Sequence, residues 1–241
     1  MVVFESVGDC NVYRNYIKYC TPLVALLACS AFAQPQVEEE IAEAPGMKDL
    51  MALMVRGKYR MREASATPWE SDDIIVTSAH INAYVENEIC NDSDKDVKFI
   101  QQEAKFANWR EPVSYEDVEY IGRIEILSED RTFDMVMNSR SQGKVLHKTV
   151  LGFKGQATNN FWIGSGFTVK GMSGGPVVAK SDGKVVGIIV GAVAKSVKRF
   201  DQYREKYGQD LTVVVPYSTI YSVWQGCRNE QTEIDLEKFL R

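Results

Sequence analysis

The sequence predicts an all-β protein that closes on a helix, and three observations predict it. Asp73-Ile74-Ile75-Val76-Thr77 is a β-branched run of strand length that ends in small residues. Val177-Val178 and the run from Lys184 to Val190 read as two buried strands joined through the turn Ser181-Asp182-Gly183. Leu211-Thr212-Val213-Val214-Val215-Pro216-Tyr217 reads as a last strand, with Ser218 to Gln225 as the helix that follows it. The charged stretch from Lys195 to Lys206 mixes signs and reads as a solvated loop or short helix between two strands.

Gly171-Met172-Ser173-Gly174-Gly175-Pro176 carries the chemistry. A serine framed by glycines sits on a turn where no neighbouring Cβ blocks a substrate carbonyl. The N–H groups of Gly171 and Ser173 can converge on an oxygen that gains charge during acyl transfer, so the pair is the expected oxyanion hole. Ser173 is then the nucleophile. Its base is expected at His80, one of two histidines, placed after the strand that ends Thr77-Ser78-Ala79. The acceptor that orients the base is expected at Asp134, the single carboxylate of the apolar run Phe133-Asp134-Met135-Val136-Met137. Asp117, Glu119 and Asp130 are its rivals. The first two read as a solvated strand face, and Asp130 stands in a polar loop.

Together, Thr77-Ser78-Ala79-His80, Asp134-Met135-Val136-Met137 and Gly171-Met172-Ser173-Gly174-Gly175-Pro176 resemble the chymotrypsin/trypsin-like serine peptidases, over about residues 55–226. The order His, Asp, Ser matches that family and differs from subtilisin-like and α/β-hydrolase orders. The resemblance implies two antiparallel six-stranded-type β-barrels with a C-terminal α-helix. His80 and Asp134 would come from a first barrel at 55–140. Ser173 would come from a second at 141–226, with early strands at Lys144–Phe153 and Asn160–Phe167 and a tail at 227–241. It implies a serine endopeptidase that cleaves peptide bonds through an acyl-enzyme. The alternatives are a protease-like binding or adhesion module without turnover, or a viral or phage self-processing protease.

Three departures from the family pattern matter. Met172 replaces the aspartate that receives a freshly cleaved N-terminus in secreted relatives, which points to the bacterial or viral type without that activation switch. Ile81 follows His80 where many animal members carry a cysteine. The interval from Asp134 to Ser173 is short, which leaves open a trimmed second barrel or a different aspartate. By analogy the pocket for the side chain before the scissile bond is lined by Phe167, Thr168, Val190, Gly191, Ala192 and Ala194. It offers no acidic residue and no histidine, so an apolar or small side chain is the expected fit.

Composition agrees with a globular enzyme. The 241 residues accommodate two barrels of roughly 80–90 residues each. A net charge of −5 gives no reason to expect nucleic acid. The expected partners are protein or peptide substrates, acted on by a monomer. No cofactor is expected and no metal. Asp92-Ser93-Asp94-Lys95-Asp96 with Glu103 imitates a calcium loop but has Val97 where the sharp turn requires glycine. His147, Cys90 and Cys227 lack the spacing of a zinc site, and His147 reads as a strand residue.

The N-terminus carries a separate message. Arg14 and Lys18 precede an apolar stretch from Thr21 to Ala33 that ends Ala31-Phe32-Ala33, a small-x-small site. Residues 1–33 are therefore expected to be a signal peptide of an exported protein, secreted or periplasmic. An uncleaved anchor, which would be the only membrane contact, and a buried helix are the alternatives. Leu26-Leu27-Ala28-Cys29 also resembles a bacterial lipoprotein box. Residues 34–54 are expected to be a linker or short propeptide-like segment. Cleavage after Ala33 would leave Cys90 and Cys227, expected to be free thiols.

Overall fold

The computed structural model describes residues 53–56, 63–81, 87–127, 134–152, 158–208 and 210–239. The expected signal segment 1–33, nearly all of the linker 34–54 and Asp130 lie outside them. Five strands form the first sheet: β1 (Leu53–Arg56), β2 (Glu63–Pro68), β3 (Ile74–Thr77), β4 (Glu88–Asp92) and β5 (Val97–Gln101). Their order is β1-β2-β3-β5-β4, with antiparallel neighbours. Among the described residues this sheet is open, so the expected first barrel is here a five-stranded sheet.

Six further strands close on themselves. They are β6 (Asp117–Leu127), β7 (Asp134–Gly152), β8 (Thr158–Ser165), β9 (Pro176–Ala179), β10 (Val185–Ala192) and β11 (Leu211–Pro216). The barrel runs β10-β11-β8-β7-β6-β9 and back to β10. It starts at Asp117, not after residue 140. The long hairpin β6–β7 pairs continuously from Asp117↔Lys144 to Leu127↔Asp134, which puts Asp134 in the barrel with Ser173 rather than in the first sheet. The second barrel is therefore not trimmed: the strands it needs lie further upstream than the motif spacing implied.

Two apolar clusters explain why β10 and β11 are hydrophobic at nearly every position. Val118, Tyr120, Val145, Trp162, Val177, Val186, Ile189 and Val214 draw on all six strands and fill the barrel, together with Met172. Val185, Ile188, Val190, Leu211, Val213 and Val215 point the other way, into a cluster shared with Val76, Val97 and Phe99 of the first sheet and with Trp69, which follows β2. A strand covered on both faces has no polar face to alternate with. Ile220 and Val223 of α2 (Tyr217–Phe239) join the same cluster, so the C-terminal helix seals the sheet against the barrel. The helix continues through most of the expected tail. Between β10 and β11, Lys198–Phe200 forms a 3-10 turn leading into α1 (Asp201–Tyr207), the short helix allowed for that charged stretch.

Cys90 of β4 and Cys227 of α2 form a disulfide, with Cα atoms 6.0 Å apart. The expectation of free thiols is corrected. These positions are 137 residues apart, and only the docking of α2 across the first sheet brings them within bridging range.

Candidate active site

His80 follows β3 and is 44% exposed at its side chain. Its Nδ1 lies 2.8 Å from Oδ2 of Asp96, and its main-chain N–H donates to Oδ1 of the same carboxylate at 2.7 Å. The Asp96 side chain is 2% exposed, so nearly all its carboxylate surface is given to this histidine and the surrounding chain. The acceptor on His80 is thus Asp96, and the expectation of Asp134 in that place is corrected.

Register accounts for the pairing. β5 runs antiparallel to β3, with Thr77 opposite Lys98. The residues following Thr77 therefore lie level with those preceding Lys98, and Asp96 arrives beside His80. Asp96 itself adopts φ +57°, a left-handed conformation that aspartate tolerates better than most residues. The turn before it is held by Asp92, whose carboxylate accepts the Lys95 N–H at 3.0 Å and pairs with its ammonium at 2.8 Å. The run that imitates a calcium loop is a capped turn. Asp134 pairs with Leu127 at the far end of its hairpin, and Asp117 is engaged by Lys144 at 2.6 Å.

The Ser173 loop is fastened to the first sheet by three hydrogen bonds, each donated by β2 to a loop carbonyl. Ser65 N–H donates to Ser173 O at 3.1 Å and Ser65 Oγ to Gly171 O at 2.7 Å. Thr67 Oγ1 donates to Gly174 O at 2.8 Å. One carbonyl joins the two halves of the site. Ile189 O accepts from Gly174 N–H at 2.6 Å and from Ser78 Oγ at 3.2 Å. Gly174 follows Ser173 directly and Ser78 is two residues before His80, so hydroxyl and imidazole are carried by segments anchored to a single atom. Among the described residues the Ser173 hydroxyl makes no hydrogen bond, and neither Gly171 N–H nor Ser173 N–H donates to an acceptor. Unspent donors are what an oxyanion hole requires.

Gly174 explains the glycine requirement. It sits at φ +86°, and a Cβ there would stand 2.1 Å from Ser65 O and 2.2 Å from Thr77 Oγ1. The residues expected to line the specificity pocket converge in part. Gly191 and Ala192 pair with Val213 and Thr212 across β10 and β11. Thr212 Oγ1 bonds Gly166 O at 3.0 Å and lies 3.3 Å from Thr168 Oγ1. Val190 is buried in the interface cluster, and Phe167 is half exposed. His147 sits on β7 opposite Ile163 and stacks on Tyr203.

The described chain shares 14% identity and a TM-score of 0.54 with a mutant of Rv3671c from M. tuberculosis H37Rv in its inactive form, over 75% of this chain and 87% of that one. With the active form of the Rv3671c protease the values are 15% and 0.51, over 70% and 76%. With the HtrA-type protease AlgW bound to a tripeptide they are 15% and 0.53, over 72% of this chain and 58% of AlgW. The fold is that of a serine protease. At this identity the likeness speaks for the fold alone. No protein-family model matches the chain, and no curated protein does.

Proposed function

We propose that the protein is a serine endopeptidase acting through Ser173, His80 and Asp96. The observation that carries this reading is the two-point grip of the Asp96 carboxylate on His80. An acceptor at Nδ1 keeps the proton on that nitrogen and leaves Nε2 with a free lone pair, the tautomer a serine hydroxyl needs.

In the proposed cycle Ser173 Oγ attacks the peptide carbonyl carbon while Nε2 of His80 takes the hydroxyl proton. The Asp96 carboxylate stabilises the resulting imidazolium. Negative charge moves onto the former carbonyl oxygen, where the N–H groups of Gly171 and Ser173 receive it. Collapse breaks the C–N bond, and the imidazolium returns its proton to the departing amine. Water then enters and attacks the acyl carbon as it gives a proton to Nε2; the bond from that carbon to Ser173 Oγ breaks, Oγ takes the proton back from Nε2, and the acid is released. The small walls at Gly191 and Ala192, with the Thr168 and Thr212 hydroxyls turned to each other, favour a short side chain before the scissile bond.

Export is part of the same proposal. The Thr21–Ala33 segment and the Cys90–Cys227 bridge both suit an oxidising compartment. Among the described residues no helix is long and apolar enough to cross a membrane.

The test is labelling by a fluorophosphonate alongside turnover of a peptide library. Wild type should be labelled at one site, and Ser173→Ala should lose both labelling and cleavage while keeping its unfolding temperature. A folded wild type that resists the label and cleaves nothing would end the proposal and favour a binding module.

A further inference from the structure

The residue before the serine is buried in the barrel. Met172 has no exposed surface and packs among Val118, Tyr120, Val177 and Ile189. Its socket is made by a missing side chain. A Cβ on Gly122 of β6 would stand 2.5 Å from Met172 Cγ and 2.6 Å from its Cβ.

The backbone closes around this plug. Met172 N–H donates to Val169 O at 3.1 Å, and Val169 N–H returns to Met172 Sδ at 3.4 Å. Gly175 N–H donates to Met172 O at 2.9 Å. Ser65 Oγ then clips plug to socket. It takes the N–H of Arg123, next after Gly122, at 2.7 Å and donates to Gly171 O, next before Met172, at 2.7 Å.

The geometry points to Met172 as the positioning residue of the oxyanion loop, with Gly122 as its socket; the inference rests on the endopeptidase reading above. An apolar side chain driven into the barrel fixes where the Gly171–Ser173 amides stand. Fixing the loop this way requires no ion pair. Met172 itself touches no substrate. Its contribution is made when negative charge forms, so it belongs to kcat rather than to KM.

The experiment compares Met172→Ala, Met172→Leu and Gly122→Ala with wild type in the full chain. One amide of an oxyanion hole is worth about 10²–10³ in kcat, so a loosened pair should cost on the order of 10–100-fold. Met172→Ala and Gly122→Ala should show that loss with KM within about twofold, as expected when only transition-state contacts are disturbed. Met172→Leu, apolar and similar in volume, should restore most of it. Affinity for a peptide boronate, which forms the tetrahedral adduct, should fall with kcat. Affinity of Ser173→Ala for uncleaved peptide should be unchanged when Met172→Ala is added.

If Met172→Ala lowers the unfolding temperature but keeps wild-type kcat and boronate affinity, Met172 is core filling only and the inference is overturned. Should that variant not fold, Met172→Val gives the same reading with a smaller cavity. An inactive wild type would instead strike at the endopeptidase reading, so the two failures are distinguishable.

Discussion

His80 Nδ1 and Asp96 Oδ2 lie 2.8 Å apart across the start of a hairpin, and the other oxygen of the same carboxylate holds the His80 main chain. One buried side chain thus sets both the tautomer of the ring and the position of its backbone. Asp96→Asn would keep the shape while presenting an amide where Nδ1–H needs an acceptor. In serine proteases that exchange costs about 10⁴ in kcat. We expect a loss of that order for Asp96→Asn and less than about twofold for Asp134→Asn, which lies outside the proposed chemistry. Steady-state kinetics on the pair of variants checks the assignment.

The serine and histidine proposed for the site stand out in the sequence because local features mark them: glycines where a Cβ cannot fit, and a strand that ends in small residues. The aspartate is harder to read. Asp96 stands just before the mainly apolar strand Val97-Lys98-Phe99-Ile100, and Asp134 opens the strand Asp134-Met135-Val136-Met137. What separates them is pairing, since β5 lies against β3 whereas β7 lies against β6. Nothing local encodes that choice. The disulfide is illegible for the same reason, because it depends on where α2 docks. The open first sheet follows too, as the strands assigned to it by spacing belong to the barrel.

The bridge between Cys90 and Cys227 closes a loop spanning 137 positions, which removes much freedom from the unfolded chain. A loop of that length is worth about 2–5 kcal/mol. Replacing both cysteines with serine, or adding reductant, should lower the denaturant midpoint by a corresponding amount. Because β4 is hairpin partner to β5, the strand that Asp96 leads into, activity should become more heat-sensitive in the same variant. Urea titration with and without reductant provides the measurement, and the serine variant should no longer respond to reductant.

His147 is stacked on Tyr203 with ring centroids 4.6 Å apart. Burial lowers its pKa below the ordinary histidine value, and the nearby Arg199 guanidinium lowers it further. The folded state therefore binds a proton less readily than the unfolded chain does. Stability from this group is fully present above pH about 6.5 and is lost as pH falls through the lower folded value. His147→Phe keeps the stack and removes the titration. Its unfolding temperature should fall less than that of wild type between pH 7.5 and pH 5, measured by thermal melts at matched ionic strength.

Gly174 lies at the junction between sheet and barrel. Its φ of +86° already disfavours any side chain, by roughly 1–2 kcal/mol for a left-handed residue. The added Cβ of Gly174→Ala would also press on Ser65 O, a backbone atom that cannot swing aside, and on Thr77 Oγ1, which donates to that same oxygen at 2.7 Å. Relief requires the loop to back away from β2. That movement would break the 2.6 Å bond from Gly174 N–H to Ile189 O, the atom that also holds Ser78 near His80. We expect Gly174→Ala to lose more than about 2 kcal/mol of stability, since clash and strain add. Fluorophosphonate labelling should slow at least tenfold even where the variant is fully folded, because the serine and the histidine lose their shared anchor. Labelling rates measured well below the unfolding temperature separate that loss from simple destabilisation, and a wild-type rate there would show that the junction does not align the two side chains.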